Sequence, residues 1–231
     1  MADHRVTQPI VCYVTDSQSL GLAEPRSHIL AKIEGAVGAG VDWVQIREKE
    51  MPARDLLAIA RAAVVTANLQ RPTREEKDRH EPLVLVNDRL DVALAAEAAG
   101  IHLGRQSLRA RDVIGWRRSG KRTADFMVGL SCHSIDELRQ AEDAGVDYAF
   151  FGPIFDTPAK RRFGPPLGIA KLAAACQATR LRVIAIGGVT LENSAECLHA
   201  GARGIAAIRM FQQARELAAL KKLVKQLHAL G

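Results

Sequence analysis

One cassette recurs four times along the chain and restricts its fold more than any other feature. The stretch VGAGVDWVQI (37–46) is echoed by EAAGIHLG (97–104), EDAGVDYAFFG (142–152) and LHAGARGIAAI (198–208). Each reads as the end of an alanine-rich helix, then a glycine, then a short apolar strand. Glycine suits the position after a helix because the left-handed conformation costs it little. Repeated helix–glycine–strand units imply alternating β and α elements, and so a parallel sheet.

Apolar runs supply eight strand candidates, at 10–14, 43–46, 83–86, 101–103, 127–130, 148–151, 183–186 and 204–208. Apolar residues at helical spacing fill segments between them, at 53–69, 136–144 and 191–200, and a closing helix is expected at 215–230. Eight βα units in 231 residues match an α/β (β/α)8 TIM barrel near the small end of its range. A doubly wound open sheet is the alternative. It would carry a glycine-rich fingerprint after the first strand, and VTDSQSL is not one. The expected organisation is a single barrel domain over 1–231, with the charged run at 70–82 as a surface insert between the second helix and the third strand.

Composition narrows the function classes. The chain is 48% hydrophobic and 25% charged, the balance of a globular protein. No apolar run approaches the roughly 20 residues of a membrane span, and the N-terminus has no apolar core of a secretory signal. Cys12, Cys132, Cys176 and Cys197 form no C-x-x-C pair and fit reduced thiols in a cytoplasmic protein. The net charge is +6, but acids interleave the basic segments and aromatics are only 4%. Nucleic acid is therefore not an expected partner, since there is little to stack on bases. The sequence leaves a homo-oligomer open.

In such a barrel the active site lies at the C-terminal ends of the strands. After the second strand, in VDWVQIREKE, Gln45, Arg47 and Lys49 fall at every second position, with Glu48 and Glu50 between them. Continued strand alternation would put the first three on one face. Asn87 and Asp88 follow the third strand, Gly104 to Ser107 the fourth, Ser131 and His133 the fifth. A Pro/Gly-rich loop carrying Lys160 follows the sixth strand, Gly187 and Gly188 the seventh, Arg209 the eighth. Arg47, Lys49, Lys160 and Arg209 bring four positive charges to one rim. The two glycines precede Thr190, an expected helix N-cap, and so can present backbone N–H groups to an anion. The expected ligand is a small phosphorylated molecule, with two places for negative charge. Asp88, the carboxylate among these cations, is a candidate ligand for a hard metal ion. Bland roles compete: Asn87 and Ser131 as turn residues, Ser134 with Glu137 as a capping box, His133 as a capping residue, His102 packed in mid-strand.

The motifs VQIREK (44–49), VNDR (86–89), HLG (102–104), GLSCHS (129–134), GPIFDTPAK (152–160) and AIGGV (185–189) occur in an order that resembles thiamine-phosphate synthase and its relative thiazole tautomerase. The likeness runs from about Tyr13 to Phe211. It implies a (β/α)8 fold and the joining of hydroxymethylpyrimidine diphosphate to hydroxyethyl-methylthiazole phosphate, with pyrophosphate leaving. Under it, Gln45, Arg47, Lys49 and Asn87 match pyrimidine-diphosphate contacts, and Asp88 a magnesium ligand. Ser131 and Lys160 match diphosphate-binding positions with catalytic roles. Thr157, Gly188 with its neighbour Gly187, Ile208 and Arg209 match the surroundings of the thiazole phosphate. Three positions depart from the pattern: Ser107 stands where a second magnesium-binding aspartate is usual, Ala159 where a hydroxyl residue is common, and Arg209 where a small serine is common. Thiazole tautomerases also lack that aspartate and would use His133 as acid and base. A catalytically silent phosphate-ligand regulator is a further alternative.

Overall fold

Strand stretches as apolar as IVCYV and YAFF can be buried on both faces, and a closed barrel wrapped in helices does that. The structure, a computed structural model, describes residues 8–18, 25–70, 81–120, 125–157, 164–214 and 216–231. Eight parallel strands pair in chain order and close on themselves: β1 (Ile10–Val14), β2 (Trp43–Ile46), β3 (Leu83–Asn87), β4 (Gly100–Leu103), β5 (Met127–Cys132), β6 (Tyr148–Phe151), β7 (Arg182–Ile186) and β8 (Gly204–Ala207). Between them run α1 (Pro25–Ala39), α2 (Ala53–Leu69), α3 (Leu90–Ala95), α4 (Ala110–Ser119), α5 (Ile135–Ala144), α6 (Gly168–Ala178) and α7 (Leu191–His199). After β8 come the short α8 (Arg209–Gln213), which was not expected, and α9 (Leu217–His228), which falls within the closing helix expected at 215–230. Residues 71–80 of the expected insert lie outside the described residues. Among the described residues no helix is long and apolar enough to cross a membrane.

The cassette proves to be a register device at the N-terminal end of the barrel. In each cassette the residue two after the positive-φ residue (Gly40, Glu97, Gly145 or Gly201) donates its backbone N–H to the preceding strand: Asp42 to Val11 O, Ala99 to Val84 O, Asp147 to Val128 O and Arg203 to Val183 O. The two aspartates add side-chain bonds. Asp42 Oδ2 accepts from Val11 N at 2.8 Å and lies 2.9 Å from His228 Nε2, which ties α9 to the barrel floor. Asp147 Oδ2 accepts from Val128 N and Arg117 Nη1. Gly40, Gly145 and Gly201 take the positive φ that a residue after a helix needs. Gly100 does not. It lies inside β4, where a Cβ would sit 2.2 Å from Met127 O, and Glu97 takes the positive φ instead.

Alternation sorts the strand residues into two cores. Cys12, Trp43, Leu85, Tyr148, Ile184 and Ala206 fill the barrel interior. Their neighbours, such as Val11, Val44, Val84 and Val183, face the helices.

Candidate active site

The interior parity continues upward and builds the floor of the mouth. Two residues beyond Trp43, Leu85, Gly100 and Gly129 come Gln45, Asn87, His102 and Ser131, and all four line one cavity of about 640 Å³ at the C-terminal ends of the strands. Gln45 is buried, and its Nε2 donates to Asn87 Oδ1 at 3.3 Å. Arg47 keeps the parity and also lines the cavity. Thr15 Oγ1 accepts from its backbone N, and its Nη1 donates to Asp16 Oδ2 at 3.1 Å. Asp16 borders the same cavity but was not singled out from the sequence. Its signal is its place just after β1, the same place that marks the rim residues of the other strands.

Alternation does not extend past Arg47, because β2 ends at Ile46. Lys49 is exposed and borders a neighbouring groove of about 690 Å³ instead of the mouth cavity. Glu48, expected on the opposite face, turns inward: it is buried, and its Oε2 accepts from Ser17 N and Ser17 Oγ. The loops after β1 and β2 are thus stitched together by the Arg47–Asp16 and Glu48–Ser17 contacts.

Ser131 and His133 leave β5 on the cavity side. His133 Nδ1 contacts Gly152 O. A carbonyl can only accept, so this contact places the proton on Nδ1 and leaves Nε2 as the ring's second site. The expected capping box is altered. Ser134 Oγ accepts from Glu137 N at 3.1 Å, while Glu137 Oε2 accepts from His133 N, so the same glutamate holds the histidine's backbone. His102 does pack, with its ring 4.3 Å from that of Phe150, but it also reaches the cavity. Its burial, and then the nearby charge of Arg47, push its pKa down to about 3. The Cys132 thiol below is raised to about 12 by burial and then by Glu137, and so is inert.

On the opposite side, Gly187 and Gly188 have φ of 92° and 69°. A Cβ on Gly188 would come within 2.7 Å of Asp156 O, so only glycine lets the β6 loop lie against β7. Thr190 caps α7 reciprocally with Asn193, its N–H donating to Asn193 Oδ1 at 2.8 Å. Arg209 Nη2 donates to Thr157 Oγ1 at 2.6 Å, joining the β6 loop to the end of β8 beside Ile208. Lys160 lies outside the described residues.

Asp88 is exposed with φ of 67°, an uncommon conformation for a non-glycine residue, and is not among the cavity's lining residues. Ser107 Oγ accepts from Gly104 N at 2.7 Å and so secures its own loop. Among the described residues no three His, Cys, Asp or Glu side chains cluster as a metal site. What remains fits one mode of magnesium binding, a single carboxylate whose ion is completed by phosphate oxygens.

A family model described as thiamine monophosphate synthase matches residues 11–211, from β1 through α8. The chain belongs to this family. Within the thiamine monophosphate synthase family, a thiamine-phosphate synthase of Moorella thermoacetica is 35% identical over 217 residues, 93% of each chain. A Geobacter sulfurreducens chain, described provisionally as a thiamine-phosphate synthase, is 41% identical over 183 residues, 78% of each chain. A solved thiamine phosphate pyrophosphorylase from Pyrococcus furiosus superposes with a TM-score of 0.78 at 25% identity, covering 97% of this chain and 98% of that one.

Proposed function

We propose that the chain joins hydroxymethylpyrimidine diphosphate to hydroxyethyl-methylthiazole phosphate, forming thiamine phosphate and releasing pyrophosphate. One observation carries this reading: two arginines, Arg47 after β2 and Arg209 after β8, line a single cavity whose wall also includes the apolar Phe150 and Ile186. That lining suits two flat heterocycles that each carry an anionic tail. The thiazole nitrogen forms a C–N bond to the pyrimidine methylene as the C–O bond to the diphosphate breaks. Positive charge builds on the methylene carbon and negative charge on the leaving group. Groups fixed in advance beside the leaving group, Arg47 and Ser131, stabilise that separation without a covalent intermediate. The Gln45–Asn87 amide pair meets the pyrimidine. Thr157, Gly187, Gly188, Ile208 and Arg209 meet the thiazole phosphate, and Lys160 the diphosphate. The free thiols fit the cytoplasmic setting that belongs to the same proposal.

Magnesium, when bound, would neutralise charge on the leaving diphosphate, and Asp88 is the residue that would hold it. With one carboxylate, the free protein should bind magnesium weakly, and should bind it well only with pyrophosphate present. Calorimetry in both conditions checks this. Asp88→Asn should remove the magnesium dependence of pyrophosphate binding, whereas tight magnesium binding by the free protein would contradict a substrate-completed site.

His133 supports a second reading, thiazole tautomerase, because its Nδ1 contact to Gly152 O leaves Nε2 to move a proton. General acid–base catalysis contributes about 10²–10⁴-fold. The expected result is thiamine phosphate formation by wild type that survives His133→Gln with about a tenfold loss, one hydrogen bond's worth, and no tautomerase turnover. Tautomerase turnover in wild type that vanishes in the variant, with no thiamine phosphate from either protein, would reverse the assignment. Turnover of either kind excludes a silent regulator.

A further inference from the structure

Three side chains stand in file from the barrel interior to the cavity. Tyr148 Oη lies 3.1 Å from His102 Nδ1, and His102 Nε2 lies 2.8 Å from Ser131 Oγ. Tyr148 is fully buried. Its ring occupies space that only glycine at 129 leaves, since a Cβ there would lie 2.0 Å from Tyr148 Cζ. Trp43 and Phe150 hold the ring from other sides. Among the described residues its hydroxyl has no hydrogen-bond partner besides His102.

Counting protons sets the direction of this chain. If the tyrosine accepted from Nδ1–H, its own proton would be buried without a partner, which is unfavourable. If it donates, that proton is satisfied and Nδ1 is the acceptor. Burial keeps His102 neutral, with its pKa near 3, so the ring carries one proton, which must sit on Nε2. Nε2–H then donates to Ser131 Oγ. The serine's own proton cannot point back at the histidine and is left for the cavity that Ser131 lines.

We propose that Tyr148 and His102 are positioning residues that fix the hydroxyl of Ser131 as a donor to an acceptor atom of the bound ligand. The direction of the chain rests on the contact geometry together with the neutrality that burial imposes on His102. The identity of the acceptor, a phosphate oxygen of the diphosphate, rests on the function proposed above.

Two measurements test this. In protein labelled with ¹⁵N-histidine, His102 should be neutral with its proton on Nε2 throughout pH 5–8. An Nδ1–H ring or an imidazolium in that range would overturn the proposal without any variant. Pyrophosphate binding supplies the second test. Tyr148→Phe, which removes one oxygen, should weaken it about three- to tenfold, the equivalent of one hydrogen bond. In a Ser131→Ala background the same change should cost less than about twofold, because the tyrosine acts through the serine. Equal losses in both backgrounds would show that Tyr148 acts through general stability, and the proposal would fall. If wild type does not bind pyrophosphate, the diphosphate reading of the cavity fails, while the ¹⁵N result still decides the direction of the chain.

Discussion

Replacing Arg47 by alanine is expected to lower kcat/KM for thiamine phosphate formation by about 10²–10³-fold, the usual cost of removing one preorganised charge-stabilising donor. Lys49→Ala should cost no more than about fivefold, the range for an exposed charge. The two residues stand two apart in one motif, so the contrast isolates geometry from composition. Arg47 lines the cavity and is held by Asp16 and by Thr15. Lys49 borders the neighbouring groove. Steady-state kinetics of both variants decide the matter. Equal losses would put Lys49 at the diphosphate and restore the simple alternation that the end of β2 interrupts.

Acid should destabilise the fold through His102. In the unfolded chain this imidazole takes up a proton near pH 6.5, but in the folded protein only near pH 3. Between those values the unfolded state binds more protons, so stability falls as the pH drops. Above about pH 6.5 the contribution is complete and flat. Below it the loss is up to about 1.4 kcal/mol per pH unit, the value of one proton per molecule. Urea unfolding at pH 7, 6, 5 and 4 for wild type and His102→Asn measures it. Other titrating groups contribute alike to both proteins, so the stability difference between them should narrow toward acid at about that rate. Parallel curves would mean that the folded protein protonates His102 as easily as the unfolded chain does.

The barrel was legible because its signals are local. Eight apolar runs fell on the eight strands, and the 53–69 periodicity matched α2. The parity that brings Gln45 and Arg47 to the mouth is also local. What escaped depends on partners distant in the chain. Nothing near His102 announces Tyr148, 46 residues away, so a mid-strand histidine read as packing. Nothing near Glu48 announces Ser17, whose pull turns it off the strand pattern. Gly100 looked like the other cassette glycines, and only the carbonyl of Met127 across the sheet shows that it serves close strand packing. Position after a strand marked Asp88 as a metal ligand and Lys160 as a rim cation, and the resemblance added magnesium and the diphosphate. The first residue is exposed beside the cavity, and the second lies outside the described residues.

The aspartates of the cassette and the cavity occupy opposite ends of the same strands. Four residues of β2 lie between Asp42 and Arg47, a span of about 16 Å. Substitutions that far apart, with no shared partner, have nearly additive effects. An engineer could therefore raise heat tolerance at the Asp42–His228 and Asp147–Arg117 clasps and retune ligand preference at the mouth in separate libraries. The best members of each could then be recombined without rescreening every pair.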